Sequence, residues 1–161
     1  MQFNGKIDQL AFISHSEADT RGIKAQLGLL DAEWTEDVCV ASGEVRGVPG
    51  VNKARLLFNY DMGIEVEILQ YLEGPNYASN LNGGRICHYG IHADSFSVRE
   101  GIREVPTFDA PIIQRVKTHS HTNPFLLESG RRYQYTIYDT LNTLGVYTKV
   151  IERIEKEQIH G

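Results

Sequence analysis

Four polar side chains that could bind a ligand or move a proton lie at matching positions of a pattern that occurs twice in the chain. Residues 7–12 are echoed by residues 86–91, and residues 63–70 by residues 145–152, at offsets of 79 (86 minus 7) and 82 (145 minus 63). A repeat of about 80 residues indicates a duplicated unit with several elements per copy. Equivalent positions of two copies can face each other across a shared site. The sequence places these four side chains there: Gln9, Glu67, His88 and Lys149.

A second polar group lies within residues 117–122. His119 and His121 are two positions apart, so on a regular strand both side chains point to the same face and could reach a shared site. Arg115 has the same parity and shares that face, and Arg131 and Arg132 could line an anion-binding rim. We predict ligand binding for His119, His121 and Arg115, while a solvent-exposed hairpin arm is the alternative for any His-x-His pair.

The composition indicates one ordinary globular domain and excludes several classes of partner. The 161 residues are 41% hydrophobic and 23% charged, enough to bury a core. A net charge of −5 without a concentrated basic stretch argues against nucleic-acid binding. Because the chain lacks a leader-like start and an apolar run of about 20 residues, we expect a cytoplasmic protein without membrane contact. Cys39 and Cys87 lack the spacing of a zinc or disulfide framework, so we expect reduced core residues.

Hydrophobic periodicity and turn residues predict two modules of order βαβββ. The first module spans about residues 5–74, with strands at 6–14, 33–45, 53–60 and 64–72 and a helix that Ser16 caps. After a linker over residues 75–84, the second module spans 85–154, with strands at 85–92, 112–121, 132–138 and 146–154 and a helix at 97–104. A charged tail, residues 155–161, completes the chain, which we treat as a single domain.

This pattern resembles the glyoxalase I, or vicinal oxygen chelate, superfamily, which includes bleomycin-resistance proteins and dioxygenases. The features that carry the resemblance are the Gln or His on each first strand, the Glu-aliphatic-Leu-Gln run that starts at Glu67, and the Leu-Glu-Gly-Pro ending at Pro75. The resemblance implies an α+β fold in which the modules form an eight-stranded, incompletely closed, curved sheet around a cup. It also implies that dimers are common, so we expect a possible homodimer.

In metal-using members of that superfamily, the four positions at the cup bind a divalent ion such as Zn²⁺, Ni²⁺, Mn²⁺ or Fe²⁺. The resemblance therefore implies Gln9, Glu67 and His88 as metal ligands, with Glu67 also moving a proton as the catalytic carboxylate. Lys149 departs from the pattern, because a protonated ammonium has no lone pair and would repel a cation. It could instead bind ligand or form a structural ion pair with Glu67.

Two other carboxylates are alternative ligands. Glu65 lies two residues before Glu67 and on the same face of the strand. Glu152 lies three residues after Lys149, so it would need a bulge to reach the cup. For His88, the alternative to metal binding is a hydrogen-bonded core histidine whose neighbours, Cys87 and Tyr89, point to the other face.

Three functions are compatible with these features. The first is a glyoxalase-like protein with a small-molecule cup and an incomplete divalent-metal site. The second is a metal-dependent lyase or isomerase acting on a 2-oxo or 2-hydroxy carbonyl compound. The third is a metal-free module that sequesters a ligand or regulates another protein. In the first and third cases no metal cofactor is required.

Overall fold

The computed structural model describes residues 7–93 and 105–154, and these form one sheet-dominated α+β unit. Its elements, in chain order, are β1 (Gln9–Ile13), α1 (Glu17–Gln26), β2 (Thr35–Val45), β3 (Val48–Asn59), β4 (Glu65–Glu73), β5 (Ile86–His92), β6 (Ile112–His121), α2 (Pro124–Ser129), β7 (Arg132–Tyr138), α3 (Leu141–Leu144) and β8 (Tyr147–Ile154). The predicted helix at residues 97–104 lies outside the described residues, as does the tail.

The eight strands close into a barrel in the order β1-β4-β3-β2-β6-β7-β8-β5. The expected incompletely closed sheet is therefore wrong in this respect. Closure results from two antiparallel strand pairs between the modules, β1·β5 and β2·β6. We call these the first junction and the second junction. Within residues 7–93 and 105–154, every strand has a neighbour on both sides, so the described barrel has no open sheet edge.

The register of the strands agrees with the two offsets seen in the sequence. In the first module Ala11 pairs with Glu67 in a parallel ladder, and in the second module Gly90 pairs with Lys149 in the same way. At the first junction Gln9 pairs with Gly90 and Ala11 with His88. Each pair maps onto the other when residues 79 apart are exchanged, so the two modules are related by an approximate twofold axis at this junction.

One end of the barrel is filled by side chains and the other is hollow. The linker between the modules places Tyr77 inside the filled end, where its ring meets Tyr71 and Tyr147 edge-on at centroid distances of 6.1 and 5.2 Å. Tyr77 and Ala78 are buried within a cluster that includes Cys87 and Ile137. The linker is therefore part of the core, and it closes one mouth of the barrel.

Helix α1 packs on the outside of the first module. Ser16 caps it by accepting a hydrogen bond from Asp19 N at 3.1 Å, which confirms the predicted capping residue. Ile23 of the helix packs against Leu57 and Ile68. Among the described residues, no helix is long and apolar enough to cross a membrane.

The sequence misplaced or missed a few elements. Strand β3 begins at Val48, five residues before the predicted start at residue 53, because the turn at Arg46 and Gly47 is tight, with φ values of 51° and 80°. The short helices α2 and α3 were not predicted. Each has fewer than two full turns, too few for a helical periodicity to be recognised.

Candidate functional site

The hollow end of the barrel encloses a cavity of about 470 Å³, a size suited to a small organic molecule. Side chains from both modules line it. The polar ones are Gln9, Thr35, Asp37, Tyr60, Glu65, Glu67, His92, His121, Asn123, Arg131, Tyr133, Tyr135 and Lys149. Apolar walls come mainly from Leu56, Phe58, Phe125, Leu126 and Ile151.

Gln9 and His88 contact each other at the first junction, as their equivalent sequence positions suggested. The Gln9 side chain donates from Nε2 to Glu65 Oε1 at 2.5 Å, so its Oε1 accepts from His88 Nε2 at 2.7 Å. The other ring nitrogen, Nδ1, accepts from the Tyr77 hydroxyl. His88 is fully buried, and burial lowers the pKa of its imidazole well below the usual value, with the charge of Lys149 adding to the effect. It is therefore neutral, with both nitrogens occupied.

Glycine at position 90 makes this contact possible. A Cβ atom at Gly90 would lie 2.8 Å from Gln9 Oε1 and 2.9 Å from Gln9 Cβ. Any larger residue would displace the glutamine side chain from His88. The glycine in the Tyr-Gly-Ile segment is thus a sequence signal for a packed side chain opposite it.

Glu67 and Lys149 form a buried pair at the inner part of the cavity. Lys149 Nζ lies 3.9 Å from Glu67 Oε1 and 4.1 Å from the centre of the Tyr135 ring. Burial raises the pKa of Glu67, and the Lys149 ammonium partly opposes that shift. Within the described part of the chain, Glu67 Oε1 has no hydrogen-bond partner. This oxygen is a buried acceptor on a residue that lines the cavity.

Glu65 also faces the cavity but has several partners. It accepts hydrogen bonds from Gln9 and, at 2.9 Å, from the Tyr60 hydroxyl, and His92 Nε2 lies 3.5 Å away. Burial alone would raise the pKa of Glu65, but these neighbours outweigh it and the pKa is lowered. Glu152 instead accepts from Gln134 Nε2 at 3.0 Å and does not line the cavity.

The arrangement of Gln9, Glu67 and His88 does not suit a divalent cation. Although His88 Nε2 is 3.7 Å from Glu67 Oε1, this nitrogen carries the proton that Gln9 accepts, so it offers no lone pair. Lys149 adds a positive charge beside these residues, with its Nζ 3.9 Å from Glu67 Oε1. No cluster of three or more metal-ligating side chains of the His, Cys, Asp and Glu types occurs within residues 7–93 and 105–154.

A second polar pair, His121 and Asp37, lies at the second junction, and only His121 was predicted from the sequence. His121, predicted to bind ligand, donates from Nδ1 to Asp37 Oδ2 at 2.7 Å, while Asp37 Oδ1 accepts from the backbone of Thr122 and Asn123. Burial alone would raise the pKa of Asp37, but the hydrogen bond from His121 and the two backbone donors lower it overall. Asp37 went unnoticed because a single Asp in a strand pattern carries no motif.

The Nε2 atom of His121 is buried and has no hydrogen-bond partner among the residues described. The His121 side chain is 5% exposed, and the residue lines the cavity. Its ring meets Tyr133 edge-on at 6.3 Å, and Tyr133 stacks on Tyr135 at 6.2 Å. The two tyrosines form an aromatic wall from His121 toward Lys149.

Arg131 contributes positive charge on the same side as His121. Its guanidinium lies 4.8 Å from the centre of the Phe125 ring, and its Nε is buried without a hydrogen-bond partner in the described chain. Arg131 precedes β7, two residues before Tyr133, and lines the cavity. The sequence suggested an anion-binding rim at Arg131 and Arg132, and of these two Arg131 lines the cavity.

The structure separates His119 and Arg115 from His121. In the β2·β6 ladder Val40 pairs with Ser120 and Ala41 with Thr118, so the register skips His119. This bulge reverses the alternation, and His119 and Arg115 are exposed on the outer face while His121 points inward. The expectation that both histidines share a face is therefore wrong. A similar bulge skips Cys87 at the first junction, so Cys87 and His88 are both buried.

The two cysteines are free and buried, as the sequence predicted. Burial raises the pKa of each thiol to about 12. Both are thus kept as neutral thiols and are poor nucleophiles.

Comparison with known proteins gives no functional assignment. No protein-family model matches the chain, and no curated protein matches it. The chain is similar to a solved structure, a hypothetical protein from Bacillus halodurans C-125, at 17% sequence identity and a TM-score of 0.47. The alignment covers 97% of this chain and 99% of that one.

Proposed function

We propose that this protein binds a small organic molecule in the barrel cavity, and that the Glu67–Lys149 pair serves this site in place of a divalent metal. In this view the chain is a metal-independent, glyoxalase-like protein. The resemblance places a metal where Glu67 and Lys149 meet, and a lysine ammonium and a cation would repel each other there. The residues that remain are suited to holding an organic ligand.

The observation that carries the proposal is the unpartnered Oε1 of Glu67. A buried acceptor without a partner costs about 1–3 kcal/mol, and such atoms are rare in folded proteins. A ligand hydroxyl or N–H group would satisfy it. The stacked Tyr133 and Tyr135 offer a flat apolar surface next to it. The expected ligand is therefore planar, with a hydrogen-bond donor at one edge.

Ligand binding can be tested with 4-nitrophenol, which is flat and has one hydroxyl donor. We expect saturable binding by isothermal titration calorimetry in the wild type. Thr35 is exposed at the cavity lining, so Thr35→Trp should block the mouth and weaken binding at least about tenfold. Val48 is 62% exposed and does not line the cavity, so Val48→Trp is the matched control and should bind normally. Unchanged binding in Thr35→Trp would contradict the proposal.

The metal-dependent alternative predicts the opposite of the metal-independent one. We expect untagged protein, incubated with Ni²⁺, Zn²⁺ and Mn²⁺ and then dialysed, to retain far less than stoichiometric metal by elemental mass spectrometry. Lys149→Glu should gain divalent-ion affinity, because it replaces the repelling ammonium with a carboxylate. Near-stoichiometric metal in the wild type, lost in His88→Ala, would support a metal-dependent lyase or isomerase instead.

A further inference from the structure

We propose that His121 and Asp37 form an acid–base pair in which His121 Nε2 takes a proton from a molecule bound in the cavity. The inference rests on the proposed function, because it requires that the cavity admit an organic ligand. It adds an activity, proton transfer, at residues that the resemblance does not assign.

The geometry at the second junction leaves one ring nitrogen available. Asp37 accepts the Nδ1 proton, which fixes the tautomer of the neutral ring and leaves a lone pair on Nε2. His121 lines the cavity, and its Nε2 atom is buried and has no hydrogen-bond partner in the described residues. A positioned imidazole with one nitrogen bound to a carboxylate is the arrangement that general-base catalysis uses.

Asp37 is itself held rigidly, which makes it a positioning residue. Its Oδ1 accepts from the backbone N–H groups of Thr122 and Asn123 at 3.1 and 3.0 Å, so only Oδ2 faces the imidazole. When His121 gains a proton, the adjacent carboxylate stabilises the imidazolium. Asp37 and His121 come from different modules, so closure of the barrel assembles the pair.

The remainder of the cavity suits the anion that proton loss would create. Arg131, two residues before Tyr133, brings a guanidinium to the side of the cavity where His121 lies. Its buried Nε donor has no partner in the described chain, so an anionic atom of the ligand could accept from it. The tyrosine wall favours a flat, delocalised conjugate base. The substrate class is therefore a planar organic acid that ionises at carbon, oxygen or nitrogen.

The proton-transfer step is balanced without a further reactant. The ligand X–H bond breaks, its electron pair stays on X, and the proton binds to the lone pair of His121 Nε2. Return of that proton to another atom of the ligand would complete an isomerisation. No oxidant, reductant or metal takes part in this step.

The test uses 5-nitrobenzisoxazole, a small flat carbon acid. A base removes its ring C–H proton, the electron pair of that bond forms the nitrile, and the ring N–O bond breaks to give a coloured phenolate. We expect saturable turnover that exceeds the rate with an equal concentration of free imidazole. His121→Gln should lower kcat at least about hundredfold, in line with the usual contribution of a general base. His119→Gln, an exposed histidine on the same strand, is the matched control and should not change kcat.

Asp37→Asn tests the positioning role. It should lower kcat about tenfold or more with little change in KM, and it should shift the acidic limb of the pH–rate profile to lower pH, because the imidazolium loses its carboxylate. The charged and titratable groups around the ring that the structure places there are Asp37, Cys39, Tyr133 and Arg131, with Glu67 and Lys149 across the cavity. A profile unchanged in Asp37→Asn would overturn the assignment.

A measurement on the wild type keeps the test independent of variant folding. Long-range ¹H–¹⁵N spectra should show His121 protonated on Nδ1 and His88 on Nε2, because their partners differ. Nε2 protonation in neutral His121 would overturn the inference. A wild type no faster than imidazole would do the same. If calorimetry then shows that the probe binds, the acid–base inference fails while the binding function stands; absence of binding counts against both.

Discussion

Each of the two junctions between the modules carries a buried histidine, and the two histidines differ in what holds them. At the first junction His88 lies between Gln9 and Tyr77, and both of its ring nitrogens are engaged. At the second junction Asp37 accepts a hydrogen bond from one ring nitrogen of His121, and the other is buried without a partner in the described residues. The comparison separates a histidine with both ring nitrogens hydrogen-bonded from one with a single ring nitrogen hydrogen-bonded within the described residues. Burial alone does not distinguish them.

The largest expected effect comes from removing the buried positive charge of Lys149. Lys149→Met leaves the buried Glu67 without its cationic neighbour, which should cost about 3 kcal/mol of unfolding free energy at neutral pH. The double variant Glu67→Gln with Lys149→Met should recover most of this loss, because no uncompensated charge remains. Chemical denaturation of both variants measures the difference.

The pH dependence of that deficit sharpens the assignment. The pKa of Glu67 is raised in the folded protein, so its carboxyl gains a proton at a higher pH than an ordinary glutamate does. The deficit of Lys149→Met should therefore shrink as the pH falls toward the usual carboxyl range near about 4.3. A deficit that is constant with pH, or a double variant as unstable as the single one, would contradict the ion pair.

A smaller loss of unfolding free energy is expected when the hydrogen bond between His88 and the linker residue Tyr77 is removed. Tyr77→Phe removes the hydroxyl that bonds His88 Nδ1 and leaves that buried nitrogen with only the Cys87 thiol, 3.7 Å away and a weak donor, at a cost of about 2 kcal/mol. Tyr60→Phe is the matched control, since its hydroxyl bonds Glu65 from a residue 59% exposed, and should cost clearly less. Equal losses in the two variants, measured by denaturant unfolding, would argue that His88 is not locked by Tyr77.

At the second junction we expect Asp37 to make a modest contribution to the unfolding free energy that disappears at low pH. Because the folded pKa of Asp37 is lowered, its contribution is fully present above the unfolded value of about 3.9 and is lost as the pH falls through the folded pKa. Asp37→Asn cannot titrate, so its unfolding free energy should fall less steeply below that pH than the wild type's. Denaturant unfolding between about pH 2.5 and 6 tests this. Parallel curves would contradict the lowered pKa.

The smallest effect is expected on the outer face. His119 is exposed and lies at the bulge, so His119→Gln should change the unfolding free energy by less than about 0.5 kcal/mol. Thermal unfolding measures this, with His121→Gln alongside for comparison. A loss in His119→Gln as large as in His121→Gln would show that the bulge does not separate the two residues.

The sequence predicted most of the order of strands along the chain. It also predicted Gln9 and His88 at the first junction, because the duplication puts them at equivalent positions. Gln9 and His88 occupy equivalent positions, and the strand registers reproduce the same offset. Asp37 has no such signal. At the 79-residue offset its counterpart is Val116, so a symmetry argument does not select it.

The remaining errors come from long-range pairing. The bulges at Cys87 and His119 depend on how strands of different modules align, and neither leaves a mark in the local alternation of side chains. Barrel closure depends on the β1·β5 and β2·β6 pairings, and the β2·β6 pairing joins residues that are 69 (Val45 and Gln114) to 82 (Cys39 and His121) positions apart. Local periodicity contains no information about such a pairing, so an open sheet and a closed barrel have the same local sequence pattern.

Tyr77, which the linker places in the barrel, also bears on how a ligand can reach the cavity. Within the described residues, Tyr77 and the residues packed on it fill one end of the barrel, so we expect ligands to reach the cavity from the other end. If the proposed proton transfer takes place there, a product would have to leave before the next substrate enters. Such an arrangement would suit a rearrangement within one molecule better than a transfer between two.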